Sequence, residues 1–224
     1  MKITWLGQAG LLFETGGKRI IVDPYLSDSV EKINPKNKRR MPIDNSYLKI
    51  RPDVLILTHN HLDHADPDTL PHYLNNDGEI LVLASGCAWQ EVRKYGGNHN
   101  YVMFNRHTHF TYDDIEFRAV KAEHSDEHAI GVIMHAEGKN YYITGDTLYN
   151  DEIFGDINCG IDAVFLPING VGNNMNITDA ARFAEKINAK KAVPVHWGLF
   201  DSLDPNSFSF AKKVIPSIYK EVIL

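Results

Sequence analysis

The run Asp53-Val54-Leu55-Ile56-Leu57-Thr58 limits the fold more than any other part of this 224-residue chain. It is short and aliphatic without alternation, and it lies between Pro52 and a polar stretch. That pattern predicts a strand buried on both faces rather than a helix. Such a strand needs a packed layer on each side. Directly after it comes His59-Asn60-His61-Leu62-Asp63-His64, with four potential metal ligands in six residues. Alternate residues of an extended chain face the same side, so His59 and His61 can reach one ion together. Asp63 and His64, at the following turn, can face a second ion beside it. Imidazole and carboxylate donors suit zinc and also accept manganese or iron.

Further strands are expected at 3–6, 11–15, 19–22, 80–84, 101–104, 109–112, 115–122, 129–135, 141–144, 161–166 and 192–195. Gly16-Gly17 marks a hairpin between two of them. Helices are expected at 66–75, with Pro67 in the first turn, and at 87–95, closed by Gly96-Gly97. A third is expected at 179–188, with Thr178 as its N-cap and Ala180, Phe183, Ala184 and Ile187 along one stripe. A fourth, at 208–214, would stop before Pro216. Residues 27–47 are polar and irregular and read as a long surface loop, with the basic stretch Lys36-Asn37-Lys38-Arg39-Arg40. The order of strands, helix and strand begins again near residue 101. Two packed sheets with helices outside account for this, and no linker divides the chain, so 1–224 reads as one domain.

Three more ligand-type residues sit where apolar runs end: His124, Asp146 in Thr144-Gly145-Asp146-Thr147, and His196. Loops gather at that end of strands in layered α/β proteins. Hydrophobic residues at 43% and charged residues at 23% supply a real core and argue against disorder. A net charge of −6 argues against a dedicated nucleic-acid binder. The two cysteines, Cys87 and Cys159, are too few for a disulfide framework or a four-cysteine zinc site, and both are expected to be buried free thiols. The opening Met-Lys-Ile-Thr-Trp-Leu has no apolar region followed by a cleavage site, and no apolar run of about 18 residues exists. A cytoplasmic protein without a membrane partner is therefore expected.

The motif Thr58-His59-Asn60-His61-Leu62-Asp63-His64, then His124, then Gly145-Asp146-Thr147, then His196 after an aliphatic strand, resembles the metallo-β-lactamase fold hydrolases. The resemblance implies a four-layer αββα sandwich, two mixed β-sheets packed together with helices outside. It implies one metal site on His59, His61 and His124, and a second on Asp63, His64 and His196, with Asp146 bridging them. Asp23 would support the site from behind. Trp5-Leu6-Gly7-Gln8-Ala9-Gly10, Gly145 to Tyr149, and the tract from Asn169 through Thr178-Asp179-Ala180 to Pro194-Val195-His196 are similar to the L-ascorbate-6-phosphate lactonase branch.

Two divalent ions sharing a water lower its pKa toward neutrality, and the resulting hydroxide attacks a carbonyl carbon or phosphorus. Asp63 would orient that hydroxide and carry a proton to the leaving group. The expected activity is hydrolysis of a small lactone or phosphorylated sugar lactone, with zinc, or else manganese or iron, as the two ions. The alternatives are a phosphodiesterase or nuclease on the same fold, and a metal-binding redox or sensing protein without hydrolase activity. The expected partner is a small-molecule substrate and not nucleic acid; homo-oligomers are left open. Substrate contacts are sought in His128, Asn169, Asn174 and Asn176, in the basic stretch 36–40, and in Tyr149, each against the alternative of a plain surface or structural role.

Overall fold

The computed structural model of the chain describes residues 1–75 and 77–224. Two six-stranded sheets form its centre. The first runs β1 (Lys2–Gly7), β2 (Gly10–Thr15), β3 (Lys18–Val22), β4 (Val54–Leu57), β5 (Leu81–Ala84) and β6 (Asn100–Met103) in spatial order. β1 to β3 form an antiparallel meander, and β3 to β6 pair in parallel. The second sheet comprises β7 (His109–Tyr112), β8 (Ile115–Lys121), β9 (Ile130–Ala136), β10 (Lys139–Ile143), β11 (Ala163–Pro167) and β12 (Ala192–Val195). It repeats the plan: β7 to β10 are antiparallel, and β10 to β12 are parallel. All the expected strands form, within a residue or two of the expected ends. The second sheet, however, starts at β7, because β6 pairs with β5 and closes the first sheet.

Alternation along β4 makes the layers. Val54 and Ile56 enter the core between the sheets, while Leu55 and Leu57 face the outer helix layer. Phe13 of β2 meets Phe165 of β11 edge to face across the sheets, at 5.6 Å between centroids. Helices α2 (Leu70–Leu74) and α3 (Gly86–Val92) cover the first sheet through Leu70, Tyr73, Ala88 and Val92. Helix α4 (Ile177–Lys186) covers the second through Phe183 and the small side chains of Ala180, Ala181 and Ala184. The result is the expected αββα sandwich. No described helix is long and apolar enough to cross a membrane.

Local expectations needed correction in several places. The N-cap of α4 is Asn176, not Thr178: its side-chain oxygen accepts from the Asp179 amide at 2.9 Å. Residues 208–214 are not helical. Phe208 and Phe210 are both buried, a spacing of two; the chain then turns at 211–212, and a bridge from Lys213 to Ala192, with the Val214 amide donating to the Ala192 carbonyl at 2.8 Å, holds it beside β12. The 27–47 loop holds a short helix, α1 (Ser29–Ile33), and a 3-10 turn at Pro35–Asn37. Arg39 turns inward rather than over the solvent: it stacks on Tyr25 at 4.7 Å and donates to the carbonyls of Tyr25 and Ser27. Tyr149 packs against Phe154 and Phe183. Cys87 and Cys159 are free but half-buried rather than buried.

Phe165 is fully buried at the sheet-to-sheet contact. Phe165→Ala is expected to lower stability by about 3–5 kcal/mol, read from the urea midpoint at unchanged slope.

Candidate metal centre

Six segments meet at one edge of the sandwich: the β1–β2 turn, the end of β3, and the loops after β4, β8, β10 and β12. Three residues there have left-handed backbone without being glycine: Gln8 (φ 48°), Asp23 (φ 43°) and His196 (φ 57°). Such conformations cost about 1–3 kcal/mol each and persist only where the surroundings impose them. Gly145 is also left-handed, and a Cβ there would come within 2.7 Å of the Ile130 carbonyl oxygen. Glycine at that point lets the β10 end approach the β4 end and brings Asp146 beside the histidines.

The β4 loop is held from beneath by Asp23, which is completely buried. Its Oδ1 accepts from the Thr58 amide at 2.8 Å. Its Oδ2 accepts from the Thr58 hydroxyl at 2.5 Å and from His64 Nδ1 at 2.9 Å. Because Thr58 Oγ1 gives its proton to Asp23, it accepts from His59 Nδ1, 3.1 Å away. Both rings are thereby turned with Nε2 outward from this support. His124 is set the same way, its Nδ1 donating to the Asn173 carbonyl at 3.2 Å. Partners of this kind commonly fix the tautomer of metal-binding imidazoles.

The donor atoms then fall into two groups, each spanning no more than 4.8 Å: His59, His61 and His124, and Asp63, His64 and His196. His124 Nε2 faces His61 Nδ1 at 3.1 Å. Asp146 Oδ2 lies 3.4 Å from His64 Nε2 and 3.1 Å from His196 Nε2. Its charge also acts on His59 and His124. The seven expected metal residues are therefore together, with Asp23 behind them.

Charge and burial divide the imidazoles. Burial, with the charge of His64 added, holds His59 well below its ordinary value; burial does the same more mildly to His124. Burial also works against a proton on His196, yet Asp146 and Asp63 outweigh it and raise that group to about 9. His64 is raised by Asp146, Asp63 and Asp23, again against burial. Burial opposes ionisation of Asp63 and Asp146, but His64 and His196 keep both carboxylates charged at neutral pH.

His59 Nε2, His64 Nε2 and Asp146 Oδ1 are buried and make no hydrogen bond. Unpaired buried polar atoms are costly, and three together on strong ligand types fit cations between them. The N and O donor set fits zinc, manganese or iron.

Two residues of this centre were not assigned to it from sequence. Gln8 is buried, donates from Nε2 to Asp63 Oδ2 at 2.7 Å, and sits 3.0 Å from His196 Nε2. Its carbonyl accepts from Trp5 Nε1 and from the His196 amide, both at 2.9 Å. Asp126 accepts from the Asn60 amide, between His59 and His61, at 2.9 Å. Its place two residues after His124 was the available signal.

A cavity of about 500 Å³ opens over the ligands. Gln8, Asn37, His61, Asp63, Asp146, Asn169, Asn173, Asn174 and His196 are among its lining residues. The expected substrate contacts divide. Asn169 lines it, with a buried Oδ1 that has no partner. Asn174 lines it but is committed to Asp146, donating from Nδ2 at 2.8 Å. Asn176 is not among the lining residues, since its side chain caps α4. His128 lines a different pocket, beside Asn105 and Arg106.

A family model for the beta-lactamase superfamily domain matches residues 2–196. The chain belongs to that superfamily. It is 32% identical to a UPF0173 metal-dependent hydrolase of Anoxybacillus flavithermus, over 93% of this chain and 92% of the relative. Among solved structures, a metallo hydrolase from the archaeon Ignicoccus hospitalis superposes with a TM-score of 0.77 at 22% identity, covering 99% of this chain and 97% of that one. An isothiocyanate hydrolase from Delia radicum gut bacteria gives 0.76 at 18%, covering 100% and 99%. The two structural matches speak to the fold alone. The family and the curated relative make this chain a metal-dependent hydrolase.

Asp23→Asn removes the charge behind His59 and His64 while keeping the shape. It is expected to weaken metal affinity about 10–100-fold in chelator competition, with an unchanged circular dichroism spectrum.

Proposed function

We propose that this hydrolase works with two divalent ions and acts on a small, uncharged, hydroxylated lactone. His59, His61 and His124 would hold one ion; Asp63, His64 and His196 the other; Asp146 would be shared. The observation that carries the dinuclear reading is the pair of donor groups around Asp146, with three of their atoms buried and unpartnered. When bound, such ions supply an ionisable water near neutral pH and polarise a carbonyl oxygen.

The protein groups do the rest. Asp63 is kept as a carboxylate by His64 and His196, and it faces the cavity. It can orient the attacking water and pass a proton to the leaving alkoxide oxygen, which in a lactone stays tethered to the product. Gln8 holds Asp63 in place by its 2.7 Å hydrogen bond. The cavity suits a molecule of sugar size. Its wall of Gln8, Asn37, Asn169, Asn173, Asn174 and Ser125 offers hydrogen bonds to hydroxyl groups. Asn169 Oδ1, buried and unpartnered, is assigned to a substrate hydroxyl.

Among the described residues, no lysine or arginine lines this cavity. The wall therefore favours an uncharged lactone over a phosphorylated one. The same wall, with a net charge of −6, disfavours a polyanion such as RNA. The lactone reading rests on the amide-rich wall and on the resemblance of the 5–10, 145–149 and 169–196 segments to the lactonase branch.

Metal analysis after reconstitution with zinc or manganese is expected to reach at least two equivalents; a maximum of one would overturn the dinuclear reading. Asp146→Ala is expected to lower kcat at least about a thousandfold with loss of metal, whereas Asn169→Ala should act mainly on KM. A screen of lactones, phosphorylated sugars and phosphodiesters should find the highest kcat/KM on an uncharged lactone. Faster cleavage of RNA or a phosphodiester would overturn the substrate assignment and leave the metal centre standing.

A further inference from the structure

Outside the centre just described, a second kind of donor cluster lies where the start of α3 meets the loop after β8. Cys87, Asp126 and His128 each place a ligand atom so that all three fall within 4.8 Å of one another. We propose that these three residues form a separate metal site that takes a thiophilic divalent ion such as zinc.

The distances suit a single ion. Sulfur and nitrogen bound to one tetrahedral zinc, at about 2.3 and 2.0 Å, sit about 3.5 Å apart. Cys87 Sγ and His128 Nδ1 are 3.4 Å apart. One thiol, one imidazole and one carboxylate make a donor set that zinc accepts. Glu127, with Oε1 3.7 Å from His128 Nδ1, adds a second carboxylate beside them. The cluster is half-buried to exposed, which leaves room for a water as a further ligand.

The surroundings hold the donors in place. Asp126 Oδ1 accepts from the His128 amide and Oδ2 from the Asn60 amide, each at 2.9 Å. The Cys87 thiol also hydrogen-bonds to Asp126, and a cation bound between them would take the place of the thiol proton. The His128 ring lies over Gly86, where a Cβ would come within 2.8 Å of His128 Cδ2. Glycine at this position leaves room for the ring to reach the thiol of the next residue. The Gly86 amide donates to Asn105 Oδ1 at 2.9 Å, which fixes that backbone. Cys87 and His128 are 41 positions apart, so their juxtaposition is made by the fold.

The site is separate from the dinuclear centre but tied to it. Asp126 holds the Asn60 amide, and Asn60 lies between His59 and His61. An ion on Asp126 thus lies one hydrogen bond away from the loop that carries both ligands. This gives His128 a role other than substrate binding and gives Cys87 a partner set.

The test is titration of the metal-free full chain with Co²⁺, followed by absorbance. A thiolate-to-cobalt charge-transfer band in the near ultraviolet is expected, with the intensity of about one thiolate-bound cobalt per chain. It should vanish in Cys87→Ser, persist in Cys159→Ser, and need about tenfold or more Co²⁺ in His128→Ala. His128→Ala, with its exposed side chain, carries the test if Cys87→Ser does not fold. Asp146→Ala should keep the band while losing metal elsewhere, so failure of the dinuclear reading would be seen separately. No band at saturating Co²⁺, or a band lost in Cys159→Ser instead of Cys87→Ser, would overturn the proposal.

Discussion

The hydrogen bonds of the Asp23 carboxylate are what the rest of the centre depends on. It sits without solvent exposure under the β4 loop and accepts from the Thr58 amide, the Thr58 hydroxyl and His64. Through Thr58 it also sets His59. One charge thereby orients a ligand from each donor group, which gives the two groups a fixed relation. A carboxyl group is tolerable in so buried a place only with hydrogen-bond partners around it, and here it has three. Its left-handed backbone turns the chain sharply at the end of β3, so the side chain points under the neighbouring parallel strand.

The opposite wall is built by a second main-chain support. The Gln8 carbonyl receives both the Trp5 indole and the His196 amide. Trp5 belongs to the first sheet, and Trp197, stacked on it at 4.9 Å, follows the last strand of the second. The packing that joins the sheets therefore also sets His196 and the Gln8 amide that holds Asp63. Strain at Gln8, Asp23 and His196 is sustained by this two-sheet frame, as expected where a rigid scaffold presents reactive groups.

The cavity wall separates what the metal chemistry leaves common to many hydrolases. Ester, lactone and phosphodiester cleavage can all use the same ions. The groups that distinguish them here are amides, with Asn169 unpaired and Asn174 bound to Asp146. The 36–40 stretch reaches the wall only through Asn37, while Arg39 stacks on Tyr25. A run of charges in sequence does not show which of its members faces the solvent, the core or a ligand.

Strands, layers and metal-type residues were legible in the sequence, because each follows from local rules. Alternation or continuous apolarity reports how a strand is covered, and a ligand placed just after a strand lies on the loop edge. Helix detail was less legible: a potential cap at Thr178 and an apolar segment at 208–214 were each decided by neighbours, Asn176 in one case and β12 in the other. Only the tertiary structure decided that Gln8 contacts Asp63, that Asn174 braces Asp146, and that His128 lies beside Cys87 rather than at the cavity. The first two contacts join residues 55 and 28 positions apart, and their geometry depends on strained turns and sheet packing. Sequence by itself determined the kinds of donor and the strand ends that carry them. The fold decided which donors share an ion, because sharing depends on distance in space rather than along the chain.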